Sequence, residues 1–356
     1  MATFLHLEAS KGWGGQEIRI LTEAISMREQ GHQVWFGVQK GAILGKKALQ
    51  NGFQVNFLDF RRRFFLFTIL YLFFFLLIRK IDIVVTHSSR DSWQGGIAAK
   101  LAKCRVIRTR HLSTKTRAGM NAYVLYHLLA DKVITTCESV AQQIRKDARL
   151  GDERCRSIPT GVEPQIIDEK LKTSIFKKPS PFVLGTACIL RSWKGLDTLV
   201  EALSILKHEE EISLLILGDG PMMPHLKKQA EQLEVLDKII FTGHLENPFP
   251  AIAAMDLFLL LSTANEGVSQ ASLQAAYLAK PLITTATGGL KEVTITGKTG
   301  IIVPPNSPQA VAEAILKLKN NPELRSQYGQ AAKALLLEKF QWNHTMQSLS
   351  SFYTFT

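Results

Sequence analysis

Short β-rich apolar runs alternate with helix-length segments along this chain; the alternation stops once, and then it starts again. The first series is ATFLHLE, HQVWFGV, FQVNFLD, DIVVTHS, CRVIRTRH and KVITTC. The second is FVLGTAC, SLLILGDG, KIIFTGH, DLFLLLS, PLITTAT and GIIVPP. Strands separated by helices build a parallel sheet covered on both faces. The chain is therefore expected to be α/β, with two doubly wound domains. The polar stretch GVEPQIIDEKLKTSIFKKPSP, with Pro179 and Pro181, reads as the linker. A length of 356 residues suffices for two such cores. The expected divisions are 1–170, 171–340 and a last helix, 341–356, reaching back to the first domain. Two open sheets joined in this way face a cleft at the carboxyl ends of their strands, where such sheets bind ligands.

Charge is uneven. Residues 1–178 carry 29 Lys and Arg against 15 Asp and Glu, a net of +14; residues 179–356 carry 14 against 16, a net of −2. A basic half suits a polyanion, either nucleic acid or an anionic membrane surface. No aromatic–basic interleaving accompanies the charge, so nucleic acid is not the expected partner. Cys104, Cys137, Cys155 and Cys188 show no CxxC spacing. Neither a disulfide framework nor a zinc site is indicated, which fits a reducing cytosol. The opening MATFLHLEASKGWGG lacks the basic-then-apolar pattern of a secretory signal.

Several stretches at strand ends hold polar or glycine-rich chemistry. KGWGGQE, between the first strand and first helix, carries Gly14 and Gly15, which let a backbone approach an anion at a helix N-terminus. A plain tight turn explains it equally well, and it does not match GxGxxG. ILRSWKG sets Arg191 and Lys194 after the first strand of the second series, a pair suited to a diphosphate or to a solvated turn. NEGVSQASLQAA brings Glu266, Gly267, Val268, Ser269, Gln270 and Gln274 to the start of a small-residue helix. Its free amides suit phosphate oxygens; a capped core helix is the plainer alternative. RTRHLST puts His111 at the carboxyl end of a first-domain strand, and THSSRDSWQGG is a second polar strand end on the same side.

Taken together these stretches resemble a GT-B glycosyltransferase of the large retaining group called family 4. The likeness runs through LRSWKG, LILGDGP, FTGHLEN, DLFLLLST, NEGVSQASLQAAYLAKPLITTATGGLKEV and GKTGIIVPPNSPQAVAEAI, and through GGQE, THSS, RTRH and TGVEP in the first half. It implies two Rossmann-like domains, the first for the acceptor and the second for a nucleotide-sugar donor. It implies that Arg191, Lys194 and the amides after Glu266 meet the donor diphosphate without a metal or other cofactor. Glu266 then touches the transferred sugar, and His111 positions and stabilises it near the anomeric carbon. Family members usually carry a second glutamate where this chain has Gln274, which accepts a ribose hydroxyl through a neutral oxygen, a weaker contact. A nucleotide-sugar epimerase and a non-catalytic sugar-nucleotide-binding protein are the alternatives.

RRRFFLFTILYLFFFLLIRK, Arg61 to Lys80, has an uncharged core of fifteen residues, Phe64 to Ile78, with six Phe. A bilayer-spanning helix needs about 20 residues. A buried crossover helix is one reading. The favoured one is a helix lying in a membrane interface, with its flanking Arg and Lys meeting lipid phosphates. The expectation is a cytoplasmic enzyme peripheral to the inner membrane face, acting on a lipid-linked or glycan acceptor such as a lipopolysaccharide core.

Overall fold

The structure, a computed structural model, describes residues 1–111, 119–264 and 266–354. It divides into two compact units, Met1–Ile158 with Met346–Thr356, and Pro159–Thr345. The break after Ile158 lies upstream of the expected 170. Part of the expected linker is a helix of the second unit, because Pro164 pre-sets its first turn and Ile167 is buried beneath it.

In the first unit the order is β1 (Thr3–Glu8), α1 (Gly15–Glu29), β2 (Gln33–Gln39), α2 (Ile43–Gln50), β3 (Gln54–Leu58), α3 (Phe65–Ile78), β4 (Ile83–Thr86), α4 (Ser89–Leu101) and β5 (Arg105–Arg110). Then come α5 (Met120–Ala122), β6 (Lys132–Thr135), α6 (Glu138–Ala148) and β7 (Cys155–Ser157). The seven strands lie in the order β3-β2-β1-β4-β5-β6-β7, all parallel. The short β7 has no counterpart in the sequence reading. Strand order reverses between β1 and β4, so the chain diverges there and leaves a crevice at the carboxyl ends of β1, β4 and β5.

The second unit holds α7 (Pro164–Lys172), β8 (Phe182–Ala187), α8 (Leu196–Ile205), β9 (Ile212–Leu217), α9 (Met223–Gln232), β10 (Ile239–Gly243), α10 (Phe249–Ala253), β11 (Leu257–Leu260) and α11 (Gln270–Tyr277). It continues through β12 (Leu282–Thr285), α12 (Leu290–Val293), β13 (Gly300–Val303), α13 (Pro308–Lys319) and α14 (Pro322–Lys339). Its six parallel strands run β10-β9-β8-β11-β12-β13, with the reversal between β8 and β11. Leu184, Leu214, Ile216, Leu257, Leu259 and Ile283 fill one core against α8 and α13. The last helix, α15 (Trp342–Tyr353), spans the division, and its end belongs to the first unit. There Tyr353 donates to the buried Glu23 carboxylate and its ring packs on Phe4.

Helix α3 settles the direction of the apolar run. Ile69, Leu72 and Leu76 join Leu5, Leu7, Phe60 and Val84 in the core, and Thr68 caps the buried side by donating to the Asp59 carbonyl. Phe75 turns in against Trp35. The opposite face stays open: Leu66 is 77% exposed, Phe67 71%, Leu70 56%, Phe74 52% and Ile78 73%. One side of a helix on an open sheet suffices to bury it, so an all-apolar sequence leaves the rest in water. Among the described residues no helix is long and apolar enough to cross a membrane.

Candidate functional site

In the second unit the chain leaving β8 turns through Arg191 and Lys194 before α8 begins. Gly195 makes that turn possible. Its φ is +68°, and a Cβ there would meet the Leu261 carbonyl at 2.1 Å, so only glycine lets the loop press against the end of β11. The Thr263 amide donates to the Trp193 carbonyl at 2.8 Å and fixes the same approach from the other side.

Lys194 is thereby delivered to Glu266. Its Nζ donates to Oε1 of the Glu266 carboxylate, and the Ser262 hydroxyl donates to the same oxygen at 2.7 Å. The Lys194 side chain is 17% exposed and that of Glu266 7%. Ser262 is set in turn by the hydroxyls of Thr285 and Thr287, which donate to its carbonyl at 2.5 and 2.6 Å. Arg191, by contrast, is exposed and stacks over the Trp193 ring at 5.1 Å. Ser269 caps α11, accepting from the Ser272 amide at 3.3 Å, and Val268 just before it is buried. Gln270 donates to the Gly161 carbonyl at 3.2 Å. Gln274 is half-buried one turn further on, and Gly267 is partly exposed. Asn265, which opens the motif, lies outside the described residues. So the structure brings Lys194, Glu266 and Ser262 into one bonded cluster at the strand-order reversal. It leaves Arg191 as the exposed cation beside it.

The first unit gathers a second cluster at its own reversal. Glu8 ends β1, His87 follows β4 and His111 follows β5. Asp91 accepts from the amides of Ser88 and His87, closing the start of α4. Glu8 accepts from the Ser10 amide at 2.7 Å and from Gln16. Burial, helped by the nearby Asp91 charge, pushes the Glu8 carboxyl up, and burial likewise raises Asp91 against the pull of its amide donors. Gly14 stands at the N-cap of α1, but its amide donates to Glu17 Oε2 at 3.0 Å. Gly15 has open space where a Cβ would sit. The glycine-rich turn expected to face an anion thus carries the Glu17 carboxyl and lies beside that of Glu8 at the end of β1.

His111 is buried, its carbonyl accepting from the Thr136 hydroxyl at 3.0 Å. Its Nε2 pairs with His87 Nδ1 at 3.0 Å, and His87 Nε2 pairs with His6 Nδ1 at 2.9 Å. Burial, together with the Arg19 and His6 charges, holds His111 well below the usual histidine range. Burial and its histidine neighbours do the same to His87, and burial alone brings His6 down to about 3. Leu112, Ser113 and Thr114 of the RTRHLST stretch lie outside the described residues. Sequence reading marks the THSS strand end without assigning His87 a role, and it misses Ser262, Asp91, Glu8 and His6. His87, Ser262 and Glu8 stand at or just past strand ends, a signal that the sheet rule supplies, while Asp91 lies in the first turn of α4. His6 lies inside β1, where nothing in the pattern separates it from a core position.

Two parallel sheets of this order, each with polar side chains gathered where strand order reverses, define the GT-B class of α/β proteins. Residues 168–335 match the sequence model of Glycosyl transferases group 1, and residues 13–166 match that of Glycosyltransferase Family 4. The chain belongs to this family 4 type of GT-B glycosyltransferases. It is 29% identical over 233 residues to an uncharacterised glycosyltransferase of Methanocaldococcus jannaschii, a match covering 63% of this chain and 58% of that one. It is 30% identical over 168 residues to the GDP-mannose-dependent alpha-(1-6)-phosphatidylinositol monomannoside mannosyltransferase of Mycobacterium tuberculosis, covering 45% and 44%. The chain thus spans less than two thirds of these curated relatives. HepE of Anabaena, solved with UDP and glucose, shares the fold at a TM-score of 0.84 and 18% identity, with 99% of each chain covered.

Proposed function

We propose that the chain is a retaining, metal-independent glycosyltransferase that moves a sugar from a nucleotide-sugar donor to a membrane-associated acceptor. The observation that carries this reading is the Lys194–Glu266–Ser262 cluster beside the capped start of α11. A cation, an exposed second cation at Arg191 and the N-terminal amides of α11 suit a diphosphate. They stabilise the charge that builds on it as it leaves. Glu266 is the one carboxylate of the cluster and is assigned to the sugar; Gln274 is assigned to the ribose.

In the reaction the anomeric carbon loses its bond to the diphosphate oxygen and gains one to the acceptor oxygen on the same face. The acceptor proton passes to the departing phosphate. His111, in the first unit, is assigned to the transferred sugar. The open face of α3, flanked by Arg61, Arg62, Arg63, Arg79 and Lys80, is assigned to an anionic leaflet, where a lipid-linked acceptor resides. Four scattered cysteines without CxxC spacing suit the cytoplasmic side. The relative whose name specifies a phosphatidylinositol mannoside acceptor supports the lipid part of this reading.

The test is a thermal-shift panel of UDP-glucose, GDP-mannose and their free diphosphates, followed by transfer assays on lipid acceptors. A ligand that binds only the folded state raises the melting temperature by mass action. The expected outcome is a shift with one sugar nucleotide, abolished in Lys194→Ala and kept or enlarged in Gln274→Glu. A full-size shift in Lys194→Ala, or its loss in Gln274→Glu, refutes the donor assignment.

A further inference from the structure

Three imidazoles stand in a row through the first unit, each buried and bonded edge to edge to its neighbour. His6 Nδ1 meets His87 Nε2 at 2.9 Å, and His87 Nδ1 meets His111 Nε2 at 3.0 Å. The rings of His6 and His87 lie 5.2 Å apart and nearly parallel, 7° between their planes. Their nitrogens face one another, not a common point, so the row is not a metal site; among the described residues no group of three such side chains is placed to hold one.

Each N···N contact needs one proton and one lone pair. A row of neutral rings then has two orderings. Either every Nδ1 carries the proton, or every Nε2 does, because fixing one ring fixes the next. The far end decides between them. His6 Nε2 is buried, and no partner for it stands among the described residues. With the protons on Nε2, that atom is an N–H left without an acceptor; with the protons on Nδ1, it is a bare lone pair. Orphaned buried N–H groups are the rarer of the two. Arg19 is fully buried on α1, and its charge acts on both His87 and His111, opposing a second proton on either ring.

We propose that His6 and His87 are positioning residues that lock His111 as its Nδ1–H tautomer, so that His111 serves transfer as a neutral hydrogen-bond donor and not as a base. The inference rests on the assignment of His111 to the transferred sugar. A donor at Nδ1 suits a sugar oxygen, and it leaves the acceptor proton to the departing phosphate. His87 and His6 touch no substrate in this scheme; they act through the ring of His111.

Long-range proton–nitrogen spectra of the histidine-labelled full chain read the tautomer of each ring directly. All three rings are expected as Nδ1–H in the wild type, and Nε2–H on His111 overturns the proposal without any variant. His87→Phe keeps an aromatic ring but has no donor, so His111 is expected to revert to the Nε2–H form that free imidazole prefers. His87→Asn places an amide N–H where Nδ1 stood and is expected to restore Nδ1–H on His111. With hydrolysis of UDP-glucose or GDP-mannose as the activity probe, His87→Phe is expected to lower kcat at least tenfold at unchanged KM, and His87→Asn to recover most of it. An unchanged His111 tautomer in His87→Phe, or loss without recovery in His87→Asn, overturns the lock. The assignment of His111 to the sugar is separated by His111→Ala. If that variant keeps wild-type turnover while the row is ordered as described, the site assignment fails and takes the catalytic role with it. If His111→Ala is inactive and the row is ordered the other way, the lock alone fails.

Discussion

Removing the Glu266 carboxylate should cost stability before it costs chemistry. The pair it forms with Lys194 is nearly buried, with side chains 7% and 17% exposed, so neither charge is well screened by water. In Glu266→Ala the ammonium of Lys194 remains in place without its counter-charge. Breaking a buried pair from one side costs about 3 kcal/mol or more, because the remaining ion has been desolvated for nothing. In a unit the size of Pro159–Thr345, each kcal/mol moves the melting temperature by about 2–4 °C, so the expected drop is about 6–12 °C. Glu266→Gln keeps an acceptor for Ser262 and Lys194 and should lose only about 1–2 kcal/mol. Lys194→Met combined with Glu266→Leu removes both charges and should recover most of the loss, since apolar replacement of a buried pair is often close to neutral. Urea titrations followed by tryptophan fluorescence suit the measurement, because Trp193 neighbours Lys194 in this loop. A Glu266→Ala variant within about 1 kcal/mol of wild type refutes the reasoning, as does a double variant no more stable than the single one. Since Glu266 also holds the cation assigned to the diphosphate, Glu266→Ala should impair nucleotide binding as well as transfer.

Two other outcomes follow from buried and exposed chemistry in the first unit. Glu8 has an ordinary value of 4.5 and is pushed to about 8 in the fold. A raised acid contributes fully below its unfolded value and loses that contribution as pH rises through the folded one. Glu8→Gln should therefore gain on wild type as pH rises from about 4.5 to about 8, by an amount on the order of 5 kcal/mol; parallel melting-temperature curves against pH would rule this out. For the membrane face, wild type should sediment with phosphatidylglycerol vesicles at low salt and partly leave them at high salt, as the charge contribution is screened. Replacing Leu66, Phe67, Leu70 and Phe74 by Ser should abolish sedimentation without altering the melting temperature, because these side chains are exposed; equal sedimentation of the two proteins, or none by wild type, defeats the assignment.

Much of the fold was legible because parallel sheets buried on both faces write themselves as apolar runs. β9, ISLLIL, is buried at every position, and β11, LFLL, likewise. β7 was not legible for the same reason in reverse. It is three residues long, CRS, with only Cys155 fully buried, and takes its pairing from β6. The helix at 164–172 hid inside a polar stretch because its single buried residue, Ile167, gives no stripe to count. Phe73 and Phe75 show the limit from another side. In a run apolar all round, no period tells which rings turn inward, and only the sheet beneath α3 decides it.

The candidate site divides along the same line. Arg191, Lys194, Glu266 and His111 could be picked from sequence because each stands at or beyond a strand end, where an α/β sheet exposes side chains. What the sequence does not carry is which of them meet. Lys194 reaches Glu266 across seventy-two positions because Gly195 lets one loop approach the Leu261 carbonyl. His6 reaches His111 only through His87, by the pairing of β1 with β4 and of β4 with β5. Register makes that row possible. β1 places His6 opposite Val85 of β4, so the ring of His87, two residues on, projects on the same side of the sheet. A one-residue slip of β1 against β4 would turn His6 to the opposite face and break the row at its first bond. The polar chain and the apolar core of the first unit are thus specified by the same strand pairing, which is why a histidine inside a strand otherwise reads as core.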